Sequence, residues 1–302
     1  MGSDPIFRSA AGRVLLVDGA TGTELRRRGV ELDPVAWSGP ASLSHAQLLE
    51  DIHADYLRAG AEVVTTNTFG TNRFVLTAAG YGDRFETVNR AAFDAACRAR
   101  DAVRPTAAIA GSISCLPPGF DTMRYPDPET ESAAYLELAA LLADLGVDLL
   151  VLEMMEDVEH ASRACEAARQ VGLPFWIGVS ARFDHEGRRL VAYDFPETPL
   201  ADVLDALLPV APAAVNVMHT PIDAVAAALD EVGAKWHGYR GAYPEIGDAS
   251  ARAAREASPD GLAELALKWT AAGARILGGC CGTTPAHIAA LRRVLDSGAH
   301  VK

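Results

Sequence analysis

Short apolar runs and amphipathic stretches alternate along the whole chain, and the changeover between them has a recurring form. In "LRAGAEVV", "ADLGVDLLV", "RQVGLPFWI" and "TAAGARIL" a helical pattern stops at a glycine and an apolar run follows at once. Glycine accepts the left-handed conformation that ends helices, so this punctuation has a backbone reason. Eight such runs occur, at 13–19, 61–69, 106–114, 147–155, 174–181, 213–220, 235–243 and 274–279. Each is followed by a helical pattern, from "LSHAQLLEDIHADYLRAG" near the start to "TPAHIAALRRVLDS" at the end. The runs are continuously apolar rather than alternating, as strands are when helices cover them. Eight strand–helix units over about 290 residues predict an α/β fold, a (β/α)8 barrel. A doubly wound open sheet is the alternative. It calls for a glycine-rich dinucleotide loop after the first strand, and "DGATGTEL" lacks the G-x-G-x-x-G spacing. No linker composition divides the chain, so residues 1–302 read as one domain, with 1–12 a flexible or vector-derived start.

In a barrel the chemistry gathers where the strands end and the following loops begin. Those positions hold Asp18 at the end of the first run, Thr66, Asn67 and Thr68 at the end of the second, and Glu153 at the end of the fourth. Asn216 and His219 lie at the end of the sixth run, and Cys280 and Cys281 directly follow the eighth. Any one of them alone reads equally well as a cap or turn residue. Together they bring carboxylates, amides, an imidazole and thiols to one rim. Glu153 directly follows "LLVL", where a carboxylate without a polar partner costs several kcal/mol. Gly278 and Gly279 let the backbone turn sharply before the cysteines, and Thr284 with Pro285 opens the last helix. The positive end of that helix favours thiolate over thiol, and thiolates bind zinc. A strained vicinal disulfide and simple packing are the competing readings; metal binding suits the residues best.

Composition removes other classes. With 49% hydrophobic and 22% charged residues, the 302-residue chain is ordinary globular protein. A net charge of −13 argues against nucleic acid or an anionic membrane surface as partner. No apolar run reaches the roughly 18 residues that a membrane span needs. Five cysteines, an odd number, do not read as a disulfide framework, and a reducing, cytoplasmic compartment fits. Cys97 and Cys165 lie in Ala-rich helical patterns and read as packing residues. A homo-oligomer is left open.

The segments "DGATGTEL", "AGAEVVTTNTFGTN", "GVDLLVLEMMEDVEHA" and "GGCCGTTPAHI" occur in an order that resembles the homocysteine S-methyltransferase family over essentially the whole chain. The resemblance implies a (β/α)8 barrel holding zinc through three cysteines, two of them here Cys280 and Cys281. It implies that Asp18 and Glu153 anchor the α-ammonium of homocysteine, with Thr66, Thr68 and Asn216 around the substrate. It further implies that zinc ionises the substrate thiol, which then attacks the methyl group of a small sulfonium- or betaine-type donor to give methionine. No folate or cobalamin domain accompanies the barrel in this sequence, which favours such a small donor.

Two positions depart from the family. Its third zinc cysteine ends the sixth strand in a G-x-N-C pattern, whereas "AAVNVMHT" has Asn216 followed by Val217. Valine cannot ligate a metal. His219 lies two residues further on, on the same face of a regular strand, and is the candidate third ligand. After the seventh run the chain reads "YPEIG", with Glu245 where the family carries asparagine. Glu245 is open to three readings: a ligand, a partner for a cationic substrate, or a solvated carboxylate. Two other functions stay open at this stage. One is a diverged barrel that binds an amino acid or another thiol without the metal, and the other an enzyme using Cys280 or Cys281 as a nucleophile.

Overall fold

The structure, a computed structural model, describes residues 6–7, 12–247 and 255–297. Eight parallel strands form one sheet: β1 (Leu15–Leu16), β2 (Val63–Thr65), β3 (Ala108–Ser114), β4 (Leu149–Glu153), β5 (Phe175–Val179), β6 (Ala214–Pro221), β7 (Tyr239–Glu245) and β8 (Ile276–Leu277). The hydrogen-bonded order runs β1-β8-β7-β6-β5-β4-β3-β2. A parallel bridge between Val17 and Val63 then returns β2 to β1, with Asp18 N donating to Val63 O at 3.0 Å. The sheet therefore closes into a (β/α)8 barrel, as the pattern of runs predicts.

The punctuating glycines do what their position required. Gly60, Gly146, Gly172 and Gly273 all end helices at positive φ, between 78° and 111°. Side chains divide by strand alternation into two shells. One lies inside the barrel and includes Leu15, Val63, Leu149, Val151, Trp176 and Ile276. The other, larger shell lies between strands and helices and takes the intervening residues, among them Leu16, Val64, Leu150, Ile177 and Val217.

Two features depart from the sequence reading. Between β5 and the helix Leu200–Leu207 the chain makes an antiparallel hairpin, Ala181–Phe183 with Leu190–Ala192. The run at 174–181 thus breaks at Ser180, and Tyr193 leaves the hairpin at the barrel rim. The second departure concerns the start. Residues 1–5 and 8–11 lie outside the described residues, but Phe7 is only 5% exposed and stacks on Trp176 and Tyr239, with centroids at 5.6 and 3.7 Å. It is part of the inner shell rather than of a flexible start. Its ring supplies apolar contact that short strands at the barrel base leave unmade.

Phe7→Ala is accordingly expected to destabilise the fold by about 3 kcal/mol, the usual loss for a buried aromatic ring. Phe120→Ala, at a ring 49% exposed, should stay within about 0.5 kcal/mol. Urea unfolding of the two variants checks the contrast, and equal midpoints would contradict the assignment of Phe7 to the core.

Candidate active site

Parallel closure sets all the strand ends on one rim, and there the chain encloses a cavity of about 290 Å³. Its polar wall includes Asp18, Thr65, Thr66, Glu153, His219, Cys280 and Cys281. Gly178 makes the floor possible: a Cβ there would lie 2.7 Å from Met218 Cγ and 2.9 Å from the Tyr243 hydroxyl.

Two carboxylates face this space. Asp18 follows β1 and is 4% exposed; it accepts hydrogen bonds from Thr65 N (2.8 Å) and Thr65 Oγ1 (3.0 Å). Burial still dominates and pushes its carboxyl up to about 8, with Glu153 contributing in the same direction. Glu153 ends β4 and accepts a short hydrogen bond from the Ser112 hydroxyl, the polar partner its apolar setting demanded. Burial raises it to about 7, opposed by Ser112 and reinforced by Cys281.

The second run supplies its residues unequally. Thr66 lines the cavity. Thr68 does not; its hydroxyl donates to Ser112 O (2.7 Å) and bonds that of Thr66 (2.8 Å), fixing the loop. Asn67 lines the cavity and is clamped by Ser38 and Ser42. Asn216 lies lower, fully buried, with its Oδ1 in the space left by Gly241. It sits beneath the cavity rather than on its wall.

His219, Cys280 and Cys281 come together: one ligand atom from each lies within 4.8 Å of the others. Cys280 Sγ is 3.6 Å from His219 Nδ1, and both cysteines are free thiols. The route by which His219 arrives differs from the expectation. Val217 points outward into the shell beneath the helices, so strict alternation would send residue 219 outward too. A register shift between Met218 and Pro221 breaks the alternation, and His219 takes φ 43°, which turns its imidazole to the rim. Hydrogen bonds from Cys280 and His219 hold Cys281 well below the usual thiol range against the opposing effect of burial. Cys280 is pushed well up, first by Cys281 and then by burial. His219 is shifted up beside Cys281 despite its own desolvation.

Several wall residues had no signal in the sequence. Trp37, Phe69, Phe120 and Tyr193 form the aromatic side of the cavity, with Trp37 and Phe120 edge to face at 6.1 Å. Trp37 and Phe120 sit in loops at φ 53° and 59°, a conformation no motif announces.

Comparison with known proteins places the chain. A family model described as homocysteine S-methyltransferase matches residues 15–295. A selenocysteine methyltransferase of Astragalus bisulcatus is 27% identical over 333 residues, spanning 97% of this chain and 95% of that protein. The homocysteine S-methyltransferase of Escherichia coli is 29% identical over 304 residues, spanning 92% and 94%. The crystal structure of the E. coli homocysteine methyltransferase MmuM in its metallated form superposes with a TM-score of 0.78 at 27% identity, covering 95% of this chain and 99% of that one.

The thiol electrostatics can be checked directly. In chelator-treated protein at about pH 6, iodoacetamide is expected to alkylate Cys281 first, because a depressed thiol stays ionised until the pH falls through its own value. Peptide mapping by mass spectrometry reads the order, and Cys97 or Cys280 reacting first would contradict it.

Proposed function

The chain belongs to the homocysteine S-methyltransferase family, and from that premise we propose that it moves a methyl group from a small sulfonium- or betaine-type donor to homocysteine, giving methionine. It is a methyltransferase; the acceptor, donor and metal are the finer parts of the reading. One observation carries them. The carboxylates of Asp18 and Glu153 share a cavity with a cluster of His219, Cys280 and Cys281. The first pair suits the ammonium end of an amino acid, and the cluster suits its sulfur end.

The donor set fits zinc. One imidazole and two thiols form a recognised three-residue set that leaves a fourth position for a ligand, and the surroundings shift one of the thiols toward its ionised form. When bound there, zinc supplies the Lewis acidity that keeps a coordinating thiol ionised at neutral pH. Asp18 and Glu153 bind and orient the α-ammonium as acceptor-only partners, their protons leaving as the cation enters. Thr65 fixes the Asp18 carboxylate, and Ser112 that of Glu153. Trp37, Phe69 and Phe120 give the cavity an apolar side. Within it the acceptor sulfur forms a bond to the methyl carbon as the donor's bond to that carbon breaks, and the departing group keeps the electron pair. Holding the two reactants in line supplies much of the acceleration.

Three measurements test the reading. Purified protein should convert homocysteine to methionine with one of a panel of small methyl donors, and removal of metal by a chelator should abolish turnover until zinc is restored. Asp18→Asn and Glu153→Gln should each raise KM for homocysteine about 10- to 100-fold, the cost of one charged hydrogen bond. Methionine, whose sulfur does not titrate, should bind more tightly as pH rises from about 6 to about 8. The sign follows because carboxyls raised to about 8 and about 7 must lose their protons before they can hold an ammonium group. Turnover that survives metal removal would sink the zinc assignment.

A further inference from the structure

His219 reaches the cysteines only because its backbone is held at φ 43°, next to the register shift in β6. For a residue with a side chain, such a conformation costs on the order of 1–3 kcal/mol and persists where its surroundings over-determine it. One side chain from another element closes on the imidazole, and a second holds that one. The Tyr193 ring stands edge to face against it, with centroids 4.8 Å apart and planes at 63°. The Tyr193 hydroxyl donates to Glu245 Oε1 at 3.3 Å.

Each of these is anchored in turn. Tyr193 leaves the inserted hairpin, where Arg182 Nε donates to its carbonyl at 2.7 Å and the Arg182 guanidinium lies 6.0 Å from its ring. The next residue, Asp194, donates its N–H to the buried carboxylate of Glu156 at 2.7 Å. Glu245 ends β7, and the residues beside it are laced to the cysteine pair. Cys280 N donates to Pro244 O, and Ile246 N to Cys281 O, both at 2.9 Å. Glu245 is not one of the groups within ligand distance of the cluster, so it is a neighbour of His219 rather than a donor to a shared ion.

We propose that Tyr193 and Glu245 are positioning residues for His219: the Tyr193 ring locks the imidazole in place as the third metal donor beside Cys280 and Cys281, and Glu245 holds the Tyr193 hydroxyl. The inference rests on the metal reading above. It gives the inserted hairpin a task, since the hairpin delivers Tyr193 to the rim. It also assigns Glu245 a role distinct from ligand, substrate partner and solvated surface. Outer groups that fix the orientation of a metal-bound imidazole raise metal affinity by about 10- to 100-fold in known sites.

The test is zinc affinity of the full chain by chelator competition, in a double-mutant cycle. Glu245→Gln and Tyr193→Leu should each weaken zinc binding about 10- to 100-fold. In a His219→Ala background the same substitutions should cost nothing further, a result a merely structural role would not give. The unfolding midpoint of the metal-free protein separates misfolding from lost positioning and should stay within the range of other surface variants. Equal losses with and without His219, or no loss at all, would overturn the proposal while leaving the metal reading intact. A wild-type chain that takes up no zinc, matching Cys280→Ser, would overturn both.

Discussion

Closing a parallel sheet on itself forces every strand to end on the same rim, and the chemistry of this protein depends on that constraint. Eight strands, most of five residues or fewer, bring groups more than 260 positions apart in sequence into one cavity, as Asp18 and Cys281 show. The closure itself hangs on little: a two-residue first strand and a single bridge from Val17 to Val63. Apolar contact inside the barrel makes up for this shortness. Phe7 against Trp176 below, and Met218 with Tyr243 in the space of Gly178 above, fill an interior that side chains of short strands would leave loose.

The rim gathers acidic groups whose ionisation burial disfavours. Asp18 and Glu153 are raised to about 8 and about 7, and the Cys280–Cys281 pair lies against His219. Such a cavity is costly to keep empty of cations and favourable to fill with them. An ammonium group at one end and a metal ion at the other answer the two halves separately. The local supports reflect this division. Thr65 and Ser112 hold the carboxylates, whereas the segment 244–246 and the hairpin hold the thiol–imidazole end.

Much of this was legible in the chain before folding. Helices ended by glycine, followed directly by apolar runs, announce eight units, and Gly60, Gly146, Gly172 and Gly273 take the conformations that pattern needs. Asp18, Thr66, Glu153, Cys280 and Cys281 are placed on the rim by the sequence because each ends an apolar run or directly follows one. His219 was placed there by an argument the structure replaces. Regular alternation from Val217 would have turned it outward; an irregularity in β6 turns it inward. The family resemblance implies Thr68 and Asn216 around the substrate; in the structure the Thr68 hydroxyl is committed to Ser112 and the Asn216 amide lies against Gly241, neither on the cavity wall.

Local rules therefore determined what repeats: the periodicity of helices and strands, the glycine stops, the barrel they imply and the residues that must end its strands. These depend on neighbours within a few positions, so the sequence states them. Tertiary structure alone decided what rests on one irregular residue or on distant partners. The φ of His219, the inward turn of Tyr193 and the burial of Phe7 each follow from packing between segments far apart in the chain. Backbone conformations that cost energy by themselves exist only where such packing over-determines them, and no local pattern records that balance.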